Sequence, residues 1–187
     1  RVTAESVKYI EGRKGNEQPF FLYLALPAPH TPWLPTKKFQ GKTNNMYGDF
    51  VAMVDDTVGQ ILSALDRTQL SKNTLVIFTS DNGPVWYNTD TKRFGHSATT
   101  PLRGMKADAW EAGHRMPFIV RWPAGKAGQV RRELVSTLDL LPTFLEVSGA
   151  DPMIDLPGRS LLPLLRGKKP KWRKYMPTEF HLHSAHN

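Results

Sequence analysis

The chain has 187 residues, of which 40% are apolar and 22% charged, with a formal net charge of +8 at pH 7 and no cysteine. The absence of cysteine excludes disulfides, a thiolate metal site and a cysteine nucleophile, and no apolar run approaches the roughly 20 residues of a membrane span. The positive charge favours an anionic partner, but nucleic acid, sulfated glycan and phosphate all qualify.

Apolar periodicity and turn residues predict helices and strands in the first part of the chain. Residues Glu5–Arg13 are typical of the end of a helix, and the run Pro19–Leu26 indicates a central strand because both of its faces are apolar. Four prolines among residues 27–35 then predict a stiff loop, since proline is excluded from helix and sheet interiors. Apolar residues at spacings of three and four predict a core-facing helix over about Tyr47 to Leu65.

The next predicted strand organises the rest of the chain. Residues 74–79 are β-branched or apolar, and the run stops at Asp81 and Asn82 before Gly83-Pro84 breaks it. Such a run indicates a buried parallel strand, and in open α/β sheets the chemistry lies beyond the carboxyl ends of the strands. A polar segment from Pro84 to Gly104 follows, and a loop of that length is usually functional or flexible.

The remaining elements continue the alternation of strands and helices. Residues Pro117–Trp122 predict a strand, Asp139–Val147 a helix with Asp139 as N-cap, and Leu161–Leu165 a short helix. The basic run Arg166–Lys174 is the best linker candidate. The whole pattern predicts an α/β fold with a largely parallel sheet.

Asp81 and Asn82 are the candidate metal ligands. Ca²⁺ takes carboxylate and amide oxygens, and this pair supplies two of roughly six to eight ligands. The same residues followed by Gly-Pro are also ordinary turn formers. The residues alone leave both interpretations open.

Three basic side chains are candidates for substrate binding, each with a simpler alternative. Lys106, in a glycine-flanked loop, suits sulfate or phosphate oxygens, although a solvated surface lysine is the default. His30, fixed between prolines, suits proton donation to a leaving group, with a structural loop histidine as the equal alternative. His96 lies in the long loop, where a histidine in a disordered loop is the simpler interpretation.

Other charged groups have ordinary explanations. We interpret Asp55-Asp56 as a solvated pair in mid-helix rather than a metal site. His181, His183 and His186 indicate a frayed terminus more than a metal site. The run Lys168–Lys174 fits contact with a polyanion or a solvated linker.

Four motifs, in this order along the chain, closely resemble the sulfatase family. They are Pro29-His30-Thr31-Pro32, Ser80-Asp81-Asn82-Gly83, Leu102-Arg103-Gly104-Met105-Lys106 and Glu111-Ala112-Gly113-His114-Arg115-Met116-Pro117. The resemblance extends over roughly Pro19 to Gly167 and implies the alkaline-phosphatase-like fold, a three-layer sandwich around a largely parallel sheet.

The resemblance also implies the roles of individual residues. Asp81 and Asn82 match two ligands of the family's catalytic calcium. Lys106 and His30 match the groups that bind the sulfate, and His30 also matches the histidine that protonates the leaving group. His96 is a further candidate for substrate binding, and with Trp86, Tyr87, Arg93 and Phe94 it is expected to line a subsite.

Departures from the family pattern set further expectations. The family forms formylglycine from the Cys or Ser of a C/S-x-P-x-R motif, which this sequence lacks. The Asp pair of the family's first strand has no counterpart before Pro19, and Ala112 replaces a glycine. We therefore expect residues 1–167 to be the C-terminal portion of a sulfatase catalytic domain, present as a partial domain. Residues 168–187 would be a linker and the truncated start of the small C-terminal domain.

These expectations extend to activity and partners. The substrate would be a sulfated carbohydrate or an aryl sulfate, with no nucleic-acid or membrane partner. We expect the chain alone to lack turnover, to bind Ca²⁺ weakly, and to self-associate or need an N-terminal half. A phosphoester hydrolase of the same superfamily and a non-catalytic anion- or glycan-binding fragment are the alternatives. The resemblance implies a periplasmic or extracellular location, although no export signal is visible.

Overall fold

The computed structural model describes residues 1–151 and 155–178. The chain forms two compact units, unit 1 (Arg1–Thr74) and unit 2 (Leu75–Asn187). Among the described residues, no helix combines the length and apolar character that crossing a membrane requires. The three histidines His181, His183 and His186 lie outside the described residues.

Unit 1 is built on two helices. Helix α1 spans Val2–Gly12 and helix α2 spans Met46–Arg67, followed by a 3-10 turn over Leu70–Asn73. Both predicted helices are confirmed, and α2 extends beyond its predicted range at both ends. Its start is fixed by Asn45, whose side chain accepts a hydrogen bond from the Gly48 N–H at 2.8 Å, as an N-cap residue does. The core of unit 1 is apolar and fully buried at Ile10, Phe50, Ala64 and Leu65.

The loop before α2 is held by the carboxylate of Asp49, which is 3% exposed. This carboxylate accepts hydrogen bonds from the backbone N–H of Gly41 at 2.7 Å and of Thr43 at 2.6 Å. Burial on its own raises the pKa of Asp49, but the bonds from Thr43 and Gly41 outweigh it and hold the pKa below its usual value. The loop therefore depends on the charged form of this side chain.

The strand predicted over Pro19–Leu26 is wrong. These residues have no regular secondary structure, and Phe21 and Tyr23 are 68% and 80% exposed. A strand exists only with a partner that takes up its ladder of hydrogen bonds, and none of the described strands pairs with this segment. An apolar run shows that a segment suits a strand, but it does not show which partner is present.

Unit 2 contains the two strands of the described residues. Strand β1 spans Val76–Thr79 and strand β2 spans Phe118–Arg121, so both predicted positions are confirmed. The strands pair in antiparallel order, with Val76 opposite Arg121 and Thr79 opposite Phe118. The predicted parallel sheet is therefore not found among the described residues. Exposure alternates along β2, as in antiparallel sheets with one solvated face.

The polar segment from Pro84 to Gly104 was predicted to be one long loop. It instead contains helix α3 over Asn88–Phe94. The helix ends at Gly95, which adopts φ +62°, the left-handed conformation that glycine permits at low cost. Trp86, 5% exposed, packs beside it. The sequence pattern missed α3 because the helix is short and polar and has no buried residue of its own.

Three further helices complete unit 2 within the described residues: α4 over Glu111–His114, α5 over Leu140–Ser148 and α6 over Leu162–Leu165. The predicted helices over Asp139–Val147 and Leu161–Leu165 are confirmed. Asp139 occupies the N-cap position of α5, but its side chain does not cap that helix. Instead it accepts from Ser136 N–H at 2.9 Å and Arg159 N–H at 2.7 Å, so it ties the start of α5 to the turn before α6.

Candidate active site

The loop that follows β1 carries the candidate metal ligands. Asp81 is exposed and Asn82 is half-buried. The Asn82 side-chain N–H donates to the Gly83 carbonyl at 2.8 Å, and Ser80 Oγ donates to the Asn82 carbonyl at 3.1 Å. Since the Asn82 amide nitrogen is used in this bond, its side-chain oxygen is the atom suited to a cation.

This loop approaches helix α4 so closely that only glycine fits at position 83. The Gly83 N–H donates to the Gly113 carbonyl at 2.9 Å. A Cβ at Gly83 would lie 1.8 Å from the Ala112 carbonyl oxygen, far inside van der Waals contact. The backbone contact places the second and fourth sequence motifs side by side.

Lys106 occupies a tight turn closed by Asp108. The Asp108 N–H donates to the Met105 carbonyl at 3.0 Å, and the Asp108 carboxylate accepts in return from the Met105 N–H at 3.0 Å. Between Lys106 and Asp108, Ala107 has φ +74°, a conformation that non-glycine residues rarely adopt and that costs roughly 1–3 kcal/mol. Hydrogen bonds from neighbouring residues thus hold the backbone that carries Lys106 in this conformation.

The Lys106 turn is attached to both of the other segments. Its own N–H donates to the Pro84 carbonyl at 2.8 Å. A Cβ at Gly113 would lie 2.2 Å from the Asp108 carbonyl oxygen and 2.7 Å from that of Met105, so α4 packs directly under the turn. We call the residues joined in this way, 80–84, 103–108 and 110–113, the strand-end framework. Lys106 is half-buried on this framework, and its role in substrate binding stays a prediction.

His96 is held against Trp86. The Trp86 indole N–H donates to the His96 carbonyl at 2.9 Å and to Thr91 Oγ1 at 3.1 Å. The Trp86 and His96 rings meet edge to face at 5.5 Å, so His96 does not lie in a disordered loop. Trp86 is buried and therefore does not line the expected subsite, whereas Tyr87 is 52% exposed.

His30 lies in unit 1, on an exposed loop. Its ring Nδ1 is 2.6 Å from the Thr31 carbonyl oxygen, and its backbone N–H donates to the Pro27 carbonyl at 3.1 Å. A carbonyl only accepts, so Nδ1 carries a proton and Nε2 is the atom presented outward. Its place beside Asp81, Asn82 and Lys106 stays a prediction.

The donor set of the strand-end loop fits Ca²⁺ in kind but not in number. Asp81 and Asn82 offer hard oxygen ligands, as Ca²⁺ prefers. The described residues contain no cluster of three or more His, Cys, Asp or Glu side chains able to hold a metal. Further oxygen ligands are therefore needed to complete the roughly six to eight that Ca²⁺ takes.

Sequence reasoning missed Asp108, Gly83 and Gly113 as the residues that build the framework. The Asp108 side chain reaches back three residues to the Met105 N–H, but aspartate is common in turns of every kind, so the sequence does not single this residue out. The sequence patterns also did not predict the cation–π contact between Arg103 and Trp110, in which the guanidinium lies 3.5 Å from the centre of the ring. Close backbone approach at the two glycines leaves no signal beyond the glycines themselves.

Comparison with known proteins identifies similar chains. The sequence profile of the family described as Sulfatase matches residues 1–150. A steryl-sulfatase of Homo sapiens is 40% identical over 175 residues, which cover 90% of this chain and 29% of that protein. An N-acetylgalactosamine-6-O-sulfatase of Bacteroides thetaiotaomicron is 40% identical over 149 residues, covering 76% of this chain and 29% of that protein.

The fold of the chain is similar to that of a solved structure. It comes from work on the metabolism of multiple glycosaminoglycans by Bacteroides thetaiotaomicron, and it matches with a TM-score of 0.81 and 36% identity. The match covers 92% of this chain and 37% of that one. The chain thus spans 29% of the length of each of the two relatives described above.

Proposed function

The chain belongs to the sulfatase family, and from that premise we propose that it carries part of the active site of a sulfuric ester hydrolase. The observation that carries the proposal is the strand-end framework. In this framework, the backbone of Lys106 is hydrogen-bonded directly to the loop that carries Asp81 and Asn82. Three motifs that are separate in the sequence together form this framework, which we propose as one anion-binding site. The proposed substrate class is a sulfated carbohydrate or an aryl sulfate, and the name of the N-acetylgalactosamine-6-O-sulfatase relative supports the first.

Each residue has a distinct task in this proposal. The Lys106 ammonium binds a sulfuryl oxygen and offsets the charge that develops there as a nucleophile, which is not among the described residues, forms a bond to sulfur and the ester S–O bond breaks. His30 donates a proton to the departing ester oxygen, and His96 contacts the substrate. Asp81 and Asn82 would hold Ca²⁺ with further oxygen ligands, and such an ion supplies positive charge to the sulfuryl oxygens.

The finer architecture and setting belong to the same proposal. The chain would form the C-terminal portion of an alkaline-phosphatase-like catalytic domain, a three-layer sandwich with a largely parallel sheet. The similarity to a solved structure over 92% of the chain supports this assignment. We also propose that the protein works in the periplasm or outside the cell, as the family resemblance implies.

The test measures hydrolysis of an aryl sulfate by the full-length product of the gene that encodes this chain. Lys106→Ala should lower turnover roughly a hundredfold, the scale of a lost oxyanion-stabilising group. The matched control is Lys92→Ala, an exposed lysine of α3, which should leave turnover unchanged. Equal loss in both variants, or none in Lys106→Ala, would contradict the proposal. Aryl phosphate hydrolysed faster than aryl sulfate would instead favour the phosphoester hydrolase.

A further inference from the structure

The strongest charge asymmetry of the chain lies far along the sequence from the strand-end framework. Residues 156–178 contain seven Lys or Arg and no Asp or Glu, whereas the whole chain has a net charge of +8. A solvated linker and a polyanion-binding surface both fit this composition. The contacts of the segment distinguish between them.

The segment is held in place rather than solvated along its length. The Arg173 guanidinium donates to both oxygens of Asp139, at 2.7 and 2.5 Å, with the two side chains 9% and 0% exposed. The Trp172 indole N–H donates to the Leu134 carbonyl at 2.7 Å, and Arg131 donates to the Lys168 carbonyl at 2.9 Å. The backbone of residues 168–173 is therefore fixed at both ends.

These anchors consume few of the positive charges. Arg173 is neutralised by Asp139, and Arg166 approaches Glu146 at 3.9 Å. The other cations of the segment are exposed and form no ion pair with any of the described residues; they are Arg159, Lys168, Lys169, Lys171 and Lys174. The result is a fixed backbone that presents uncompensated ammonium and guanidinium groups.

Neighbouring residues extend the same surface. The Lys126 N–H donates to the Leu165 carbonyl at 2.8 Å, which brings the exposed Lys126 side chain next to α6. Arg159 lies 5.9 Å from the Trp172 ring, and Tyr175 is 81% exposed at the end of the run. Aromatic rings beside cations suit a ligand with both apolar ring faces and anionic groups.

We propose that this basic surface, formed by Lys126 and residues 159–175, binds a sulfated polysaccharide. The choice of a sulfated glycan rests on the proposed function, since a sulfatase that acts on a polymer gains from a second contact with it. Fixed cations recognise repeated anionic groups at a smaller entropic loss than cations on a mobile linker would. The surface would retain the polymer while the strand-end framework handles one ester.

The test measures binding of the purified chain to immobilised chondroitin sulfate, with unsulfated chondroitin as the matched ligand. The four-fold variant K168Q/K169Q/K171Q/K174Q should bind roughly 30-fold more weakly, the sum of four contacts of the size measured for exposed ion pairs. The control K8Q/K14Q/K37Q/K72Q removes the same charge from exposed lysines of unit 1 and should change affinity little. Binding of the unmodified chain should weaken steeply with added salt.

Several outcomes would overturn the proposal. They are equal loss in the two four-fold variants, binding to unsulfated chondroitin as tight as to the sulfated form, or no binding to either. Tighter binding to duplex DNA or to phosphatidylserine vesicles, with the same lysine dependence, would assign the surface to another partner and overturn it too. Melting curves of both variants identify any loss that comes from unfolding, and single Lys→Gln changes then replace the four-fold set.

Failure of this proposal is distinguishable from failure of the proposed function. Lys106→Ala should remove turnover of a small aryl sulfate, but it should lower chondroitin sulfate affinity far less than the four-fold lysine variant does, because Lys106 lies outside the basic surface. If only the affinity test fails, the basic surface is not a glycan site but the hydrolase assignment stands. If only the turnover test fails, the surface binds polyanions and the hydrolase assignment is wrong.

Discussion

At the residue scale, the candidate site depends on two glycines that permit backbone contacts no other residue allows. Gly83 and Gly113 hold the strand-end loop, the Lys106 turn and α4 together, and a side chain at either would overlap a carbonyl oxygen. Neither glycine carries chemistry itself. Their role is to bring the candidate residues Asp81, Asn82 and Lys106 onto one framework.

We predict that Gly113→Ala destabilises unit 2 by about 1–3 kcal/mol or more, the range for overpacking a tight site. The added Cβ would meet the Asp108 and Met105 carbonyl oxygens at 2.2 and 2.7 Å, and backbone has little freedom to move away. Urea unfolding monitored by tryptophan fluorescence measures the change. The control is Gly12→Ala, where nothing lies within 4 Å, and it should be neutral or slightly stabilising. A Gly113→Ala protein as stable as the control would show that the framework is looser than described.

The sequence singled out the candidate residues of the site, whose roles stay predictions, but not the residues that support them. Asp81, Asn82 and Lys106 stood out because oxygen-bearing and cationic side chains followed an apolar run or a glycine turn. Asp108 did not, because a side chain that bonds its own backbone has the composition of any turn. Which glycine is needed for close approach depends on a distant segment, and no local pattern records it.

At the scale of elements, helix α5 and the basic segment are joined through one buried ion pair. Asp139, fully buried, meets Arg173 and two backbone N–H groups. We predict that Arg173→Ala costs about 3–5 kcal/mol, because it leaves a buried carboxylate without its countercharge. Lys174→Ala, the exposed neighbour, should cost less than about 0.5 kcal/mol. Thermal unfolding of both variants measures the difference, and a similar small loss in both would mean that the pair is solvated.

The loop before α2 makes the stability of unit 1 depend on pH. The pKa of Asp49 is below its usual value in the folded chain, because backbone N–H groups of Thr43 and Gly41 bind its charged form against the opposing effect of burial. Its contribution is therefore complete above the unfolded pKa of about 3.9 and is lost as the pH falls through the lower folded pKa. We predict that Asp49→Asn lowers the melting temperature at pH 7 and flattens its fall below pH 4. An Asp49→Asn curve parallel to that of the unmodified chain down to pH 2 would contradict this.

Helices were easier to predict than strands for a physical reason. The apolar pattern of α2 is a property of that segment alone, since residues three and four apart share one face of the helix and no other segment is needed to define it. The run Pro19–Leu26 has the composition of a strand but lies in none of the described strands, and β1 pairs antiparallel with β2 rather than parallel as expected. Strand pairing is a contact between distant segments, so the sequence of one segment cannot determine it.

At the scale of the whole molecule, exposed apolar side chains favour association. Phe21 and Tyr23 in unit 1 are 68% and 80% exposed, and Ile119 on β2 is 61% exposed. Exposed apolar surface invites contact with another chain. We predict that light scattering after gel filtration gives a mass that rises with concentration above 21.1 kDa.

The double variant F21S/Y23S should lower this association, whereas V130S/L138S should not. Val130 and Leu138 are also exposed, at 89% and 52%, but they lie in unit 2, outside the apolar run Pro19–Leu26. A monomer at every concentration would contradict the prediction.

We propose that His30, Asp81, Asn82 and Lys106 of the full-length gene product act at one sulfate site. The most direct measurement is a crystal structure of the full-length gene product with Ca²⁺ and sulfate. We expect Asp81 and Asn82 oxygens at about 2.3–2.6 Å from the cation, and Lys106 Nζ and His30 Nε2 at about 2.7–3.2 Å from sulfate oxygens. Sulfate bound elsewhere, with His30 remote from Lys106 or with a cation that ignores Asp81, would contradict it.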